Sequence, residues 1–261
     1  MGQHANRGDL AVAITTKDNM RTIERTLRSV QLIASRIVVV DSGSTDGTIE
    51  RCQALGAEVV HHDWDGMVVQ RQFALEQCRE HRWVLALDSD ESLEPQLQDS
   101  ITRTLREDDP RYQGWFMNRK VWFLGGWLHH TFQPEWRLRL VRGGAGRVTG
   151  IGPQGRGGHD RIEVDGRAGR LVGNCRHDSW ADVQQWCQRS ISLAERAAQY
   201  ADCGGSLLNL LLSPPAAMIK QLILKRGFLD GMRGLIAAGM TFNYTMLKHT
   251  FIAAERLSKR R

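Results

Sequence analysis

The chain is poor in cysteine and proline and has no long apolar run. Its five cysteines (Cys52, Cys78, Cys175, Cys187 and Cys203) are odd in number and never spaced C-x-x-C. They read as reduced thiols of a cytosolic protein rather than as a disulfide framework. The pairs His61-His62 and His129-His130 lack the Cys/His spacing of a zinc site. Residues 1–9 are polar, so no secretory leader is expected. The longest nearly apolar stretch, Leu207–Ile219, contains Pro214-Pro215 and reads as too short to span a bilayer. No internal repeat or long low-complexity segment is present.

What is present is an uneven charge. Of the net +6 on 261 residues, residues 216–261 contribute +7, from nine lysines and arginines against two acids; the other 215 residues, with 26 bases and 27 acids, carry −1. The basicity therefore belongs to the tail. A nucleic-acid protein more often carries its basic patch beside a reading element, so that class is disfavoured. A basic tail with an apolar face points instead to an anionic membrane surface.

The length suits one large domain, or one domain with an extension. Its first part alternates strands and helices. Strands are expected at Leu10–Thr15, Ile37–Val40, Glu58–His62 and Trp83–Leu87, with helices over Thr22–Val30, Thr48–Leu55, Val68–Cys78 and from Pro95 to Arg106. The unbroken β-branched run at 37–40 suits a strand buried on both faces. This alternation implies a three-layer α/β domain with a largely parallel sheet. After Pro110, Gly114–Phe123 and Trp136–Val141 read as strands. Residues 143–173, rich in glycine and arginine, read as loops with short strands, and the chain is helical from Ser179.

Two strands end abruptly in carboxylates: Val38-Val-Val-Asp-Ser-Gly-Ser-Thr-Asp-Gly-Thr48 and Val84-Leu-Ala-Leu-Asp-Ser-Asp-Glu91. Open parallel sheets bind ligands beyond the carboxyl ends of their strands. Asp88 and Asp90 are two residues apart and would face the same way if the strand continued. Like charges at ~4 Å repel by ~4 kcal/mol at an effective dielectric of ~20. A divalent cation relieves this, and oxygen ligands suit Mg²⁺ or Mn²⁺. Gly43 and Gly47 give the first loop access to positive φ, and Ser44, Thr45 and Asp46 are placed to cap the next helix.

These two segments resemble the nucleotide-sugar half of family 2 glycosyltransferases, with its D-x-S-x-D-G-T loop and later D-x-D motif. Gly66 to Leu75 resembles that family's G…Q-R-N-x-A-L segment, with Gln72 in place of the usual asparagine. Gln133-Pro-Glu-Trp-Arg-Leu-Arg-Leu140, the His159-Asp160…Glu163…Gly166…His177 pattern and Gly227–Leu235 resemble a subgroup containing lipopolysaccharide-core glycosyltransferases.

The resemblance implies a GT-A fold over 1–178, with a donor half at about 10–110 and an acceptor half at about 111–178, followed by a helical, basic, membrane-associating extension at 179–261. It implies an inverting transfer of a sugar from a nucleotide donor, UDP-linked by preference, to a glycan or glycolipid acceptor such as lipopolysaccharide core. Thr16, Lys17, Asn19, Asp41, Arg71 and Asp88 would bind the donor. Asp90, Asp88 and His177 would hold the metal. Glu135 is the candidate general base, with Asp160 and Asp178 as rivals. Arg137 and Arg139 would steady the strand or meet anionic acceptor groups.

The tail is expected to form a helix over Ala217–Ile236, bent at Gly227. Met218, Ile219, Leu222, Ile223, Leu229, Met232 and Ile236 lie mostly on one side, and Lys220, Lys225, Arg226 and Arg233 are among the polar residues opposite. Such a helix fits in-plane binding at an anionic leaflet, placing the protein peripherally on the inner face of the cytoplasmic membrane. Packing on the chain's own core would use the same stripe. Two other functions compete: transfer to a polyprenyl phosphate, and a non-catalytic nucleotide-binding membrane adaptor.

Overall fold

The structure is a computed structural model that describes residues 10–150, 160–201 and 204–259. They group into two units, one of residues 10–119, 136–150 and 160–177, the other of 120–135, 178–201 and 204–259. Residues 120–135 thus belong with the C-terminal helices.

In the first unit, β1 (Leu10–Thr16), β2 (Arg36–Asp41), β3 (Glu58–His61) and β4 (Trp83–Asp88) run parallel in the order β3-β2-β1-β4. Helices α1 (Ile23–Val30), α2 (Thr48–Ala54) and α3 (Met67–Glu76) connect them. β5 (Glu91–Leu93) and α4 (Pro95–Glu107) follow, then β6 (Tyr112–Phe123). The sheet continues past β4 through β8 (Trp136–Arg142), β6, β11 (Arg167–His177) and β5. β8 is antiparallel to both β4 and β6. β9 (Arg147–Thr149) and β10 (Arg161–Glu163) form a separate ribbon.

Alternation along the central strands produces two cores. Leu10, Val12 and Ile14 of β1, with Trp83, Leu85 and Leu87 of β4, pack against Ile23, Leu27, Leu97 and Ile101 of α1 and α4. The intervening Ala11, Ala13, Val84 and Ala86 face Ala74 and Leu75 of α3. Successive strand residues point to opposite faces, so a strand covered on both sides must be apolar throughout. That is why β1, β2 and β4 read so clearly. Each fully buried Leu, Ile or Val contributes roughly 1.5–3 kcal/mol.

β11 was not expected. Along its 11 residues only Leu171 and Cys175 are buried, so no apolar alternation marks it. The thiols Cys52, Cys78 and Cys175 are buried and unbridged, and burial pushes the first two up to about 11. Cys203 lies outside the described residues.

The second unit contains β7 (Gly126–Trp127), which pairs with the end of β6, and α5 (Val183–Gln199), α6 (Leu207–Ile219) and α7 (Gly231–Ser258). Its core joins Val121, Phe123 and Leu128 to Trp186 of α5 and Ala237 and Met240 of α7. Ser206 and Asn209 form a capping box at the start of α6, the reciprocal side-chain arrangement that satisfies otherwise orphaned amides.

Two tail expectations are corrected. The apolar stretch does not stop at Ile219. A π-helical turn, Lys220–Leu224, prolongs α6 through the prolines into an 18-residue helix, Leu207–Leu224, of mean hydropathy 1.5. By length and composition it is sufficient to cross a membrane. The helix expected over Ala217–Ile236 is instead interrupted by a 3-10 turn at Gly227–Asp230, and Ile236 packs on the second unit's own core.

Candidate active site

Three loops leave the carboxyl ends of β1, β2 and β4, and short hydrogen bonds stitch them together. From the first loop, the Asp18 amide donates to Ser44 Oγ (2.8 Å) and Asp18 Oδ1 accepts from the Thr45 amide (2.8 Å). The Asn19 amide donates to Thr48 Oγ1 (2.9 Å), and Asn19 Nδ2 reaches Ser89 Oγ (2.6 Å) in the third loop. Asp46, expected to cap α2, accepts from the Thr48 amide (3.1 Å) and also from the Met20 amide (3.0 Å). Asp41 ends β2 almost wholly buried, opposite Thr16 in the sheet. Its Oδ1 accepts from the Gly43 and Ser44 amides (2.8 Å each), and Ser44 Oγ donates to its Oδ2. Asp41 therefore closes its own loop. Gly43 at φ 86° and Gly47 at φ 91° take left-handed conformations that favour glycine. Thr16 Oγ1 is buried with no hydrogen-bond partner among the described residues. Lys17 is exposed.

Asp88 sits in a cage of arginines. Arg71 Nη2 donates to its Oδ1 (2.7 Å) and Arg139 Nη2 to its Oδ2 (2.7 Å); Arg119 is 3.9 Å away. Burial alone would raise this carboxyl's pKa, but Arg71, Arg139 and Arg119 outweigh it and hold the group far below the usual carboxylate range. Glu91, with no exposed surface, accepts from Arg139 (2.8 Å), Arg119 (3.2 Å) and the Asp88 amide (3.1 Å). Arg71, which a surface helix would leave solvated, is only 2% exposed and also donates from Nε to Asp160. Three carboxylates thus face three guanidiniums. Arg71 Nη1 and Arg139 Nε have no hydrogen-bond partner among the described residues.

β4 ends at Asp88, and Ser89-Asp90 forms a turn. Asp88 and Asp90 are therefore not successive same-face strand positions. Asp90 Oδ1 lies 3.7 Å from Nε2 of His177, the last residue of β11, itself paired with Glu91 across the sheet. Among the described residues no group of three or more His, Cys, Asp or Glu forms a metal cluster. Glu135 immediately precedes β8 and belongs to the second unit, as does the buried Asp178. His159 lies outside the described residues. His61 meets Asp63 (3.0 Å), and His62 meets Gln70 (2.8 Å). Gln72, where the family has asparagine, accepts from the Val148 amide (2.9 Å).

Sequence reasoning missed Glu91, Arg119 and Ser89 as parts of this cluster. The only signal was a fourth polar residue after D-S-D and an arginine inside a strand rich in aromatics.

The sequence model of the family described as glycosyl transferase family 2 matches residues 11–158. An uncharacterized glycosyltransferase of Rickettsia bellii is 44% identical over 92 residues, covering 35% of this chain and 31% of that protein. The lipopolysaccharide core biosynthesis glycosyltransferase LpsC of Rhizobium meliloti is 34% identical over 140 residues, covering 49% and 51%. The chain thus aligns with only about a third to a half of these relatives' lengths. Glucosyl-3-phosphoglycerate synthase from Mycobacterium tuberculosis, solved with Mn²⁺, UDP-glucose and phosphoglyceric acid, is 18% identical over 77% of this chain and 82% of that one, with a TM-score of 0.44. A family match over more than half of the chain, on parallel strands whose ends carry the matched motifs, shows that this protein belongs to glycosyl transferase family 2, with a GT-A fold.

Proposed function

We propose that the chain moves a sugar, with inversion, from a UDP-sugar to a hydroxyl of a cell-envelope glycan or glycolipid of the lipopolysaccharide-core kind. The observation that carries this reading is the stitching of the three strand-end loops around Asp41, Asn19 and Ser89. It forms a rigid polar rim where an open α/β sheet takes its ligand. The acceptor class follows the likeness to LpsC.

On the donor side, Asp41 and Asn19 shape the base and ribose pocket, Lys17 stands at its edge, and the buried Thr16 hydroxyl still has bonding capacity. Arg71, whose Nη1 has no hydrogen-bond partner among the described residues, contacts the donor diphosphate. Asp90 and His177 fit a Mg²⁺ or Mn²⁺ ion, because Mg²⁺ is usually held by one or two carboxylates, substrate phosphates and water rather than by an all-protein cage. Such an ion acts as a Lewis acid for the departing diphosphate. Glu135 takes the proton from the acceptor hydroxyl.

Calorimetry tests the donor side. UDP should bind the wild-type chain with Mg²⁺ or Mn²⁺, and Asp41→Ala should weaken binding at least ~10-fold, about the worth of one hydrogen bond to a charged group. UDP bound equally tightly by the variant would remove the pocket assignment. A wild type that binds GDP or ADP but not UDP would replace the donor.

The second unit seats the enzyme peripherally on the inner face of the cytoplasmic membrane. Leu207, Leu208, Leu211, Leu212, Ile223 and Leu224 are all exposed, and contiguous apolar patches of this kind mark interaction surfaces. Lys220 and Arg226 are exposed among them, each worth ~1 kcal/mol near an anionic leaflet. Full-length protein should co-sediment with anionic vesicles, less so at high salt. A Leu224→Asp/Leu229→Asp double variant, both positions exposed, should bind at least ~10-fold more weakly, since each charge replaces an apolar group worth ~1.5–3 kcal/mol. Equal sedimentation of both proteins would exclude this surface.

A further inference from the structure

The run Gly227–Leu235 (G-F-L-D-G-M-R-G-L) enters the reading so far only through its apolar side chains. In the second unit it is a 3-10 turn, Gly227–Asp230, that leads directly into α7. One side of the turn grips the backbone of residues 129–133. Asp230 Oδ1 accepts from the amides of His129 (2.8 Å) and His130 (3.2 Å), and Oδ2 from His130 (3.0 Å) and Thr131 (2.8 Å). Gln221 Oε1 accepts from the Phe132 amide (3.1 Å), and Lys225 Nζ donates to the Gln133 carbonyl (2.8 Å). Five consecutive backbone units are tied to three tail side chains, and Glu135 stands two residues beyond the last of them.

The fit is close. A Cβ at Gly227 would lie 2.6 Å from Thr131 Oγ1 and 2.7 Å from the Gln221 carbonyl oxygen, so only glycine lets the turn approach the loop this closely. Phe132 takes φ 65°, an uncommon conformation for a bulky residue that persists only where the surroundings over-determine it. The turn exposes Phe228 and Leu229 to solvent, and the start of α7 exposes Met232, next to the exposed Arg226. A short element therefore has an apolar, positively flanked outer side and an inner side bonded to the loop that leads to Glu135.

We propose that this turn couples a lipid surface to the acceptor loop. When Phe228, Leu229 and Met232 enter an anionic leaflet, Asp230, Gln221 and Lys225 hold residues 129–135 in the arrangement that transfer to a lipid-borne acceptor requires. Asp230 is then a positioning residue. The inference rests on the membrane seat and on Glu135 as base, both proposed above.

Hydrogen exchange read by mass spectrometry tests it on the full-length chain, alone and with phosphatidylglycerol-containing vesicles. In the wild type the amides of 129–131 should exchange slowly, and at least ~10-fold faster in Asp230→Ala, the change expected from one lost hydrogen bond to a charged group. Asp230→Asn, which retains one acceptor oxygen, should lie between, with exchange in β1 unaltered in both variants. Vesicles should slow exchange at 227–235 and 129–133 together in the wild type, but only at 227–235 in Asp230→Ala. Asp230→Ala should also lower kcat while leaving UDP affinity unchanged. Vesicle protection confined to 227–235 in the wild type, or 129–131 exchange unmoved by Asp230→Ala, overturns the coupling. Protection at neither segment overturns the membrane seat, and the coupling with it. Full kcat in Glu135→Gln overturns the base alone, because the exchange pattern does not depend on it.

Discussion

Asp90→Ala is expected to cut metal-dependent turnover at least ~1,000-fold, since Lewis-acid stabilisation is worth several kcal/mol and each 1.36 kcal/mol is a factor of ten. On the reading proposed above this burden falls on Asp90 rather than being shared between the two aspartates. Asp88 already serves Arg71 and Arg139 through its two oxygens. Asp90 lies in the turn beyond the strand, beside His177. Removing Asp90 should therefore spare the fold, and thermal unfolding of the variant should match the wild type. Asp88→Asn provides the contrast. It leaves three guanidiniums facing two carboxylates, and breaking a buried ion pair costs about 3–5 kcal/mol, so this variant should show a clear loss of stability. Full turnover by Asp90→Ala, or by the wild type in excess EDTA, would sink the metal-dependent reading.

Glu135→Gln is expected to lower kcat at least ~100-fold with UDP affinity little changed, because the amide keeps the shape of the side chain but cannot take the acceptor's proton. Two carboxylates were its rivals. Asp160 accepts from the buried Arg71, so one of its oxygens is already committed to a guanidinium. If kcat measured at saturating donor is unaltered in Glu135→Gln, the role passes to Asp160 or Asp178.

The parallel strands of the first unit were legible because physics wrote them twice. Strands β1, β2 and β4 are covered on both faces, so their apolar runs are unbroken, and each stops where the sheet edge meets water. The acids at those edges, Asp41 and Asp88, announced a polar site. Their partners were harder to see. An arginine in a strand, such as Arg119 or Arg139, has the pattern of a solvent-facing position, and only the fold shows that it points at Asp88. Asp41 was expected to meet the donor's base or ribose, yet it bonds first to the amides of its own loop, a local use of aspartate that any turn permits. β11 left no trace in apolar periodicity because nine of its eleven residues are not buried. Asp230 was invisible for another reason. Its partners are backbone amides about a hundred residues away, and backbone groups have no sequence identity to match.

The proline pair inside α6 bears on how that helix would meet lipid under the proposed membrane seat. Pro214 and Pro215 have no amide hydrogen, so the carbonyls one turn earlier, at Leu210 and Leu211, receive no intrahelical bond from them. In water or among headgroups these two oxygens find donors at once. In hydrocarbon each would stand bare, at a cost of several kcal/mol. Lys220, in the same 18-residue segment, adds ~2.5–3.5 kcal/mol if drawn toward the bilayer centre. Length and hydropathy alone would let Leu207–Leu224 cross a bilayer. Under the proposed membrane seat, two oxygens in need of donors, and a cation about two and a half turns beyond them, favour the segment lying along the boundary, where solvent reaches one side of the helix and acyl chains the other.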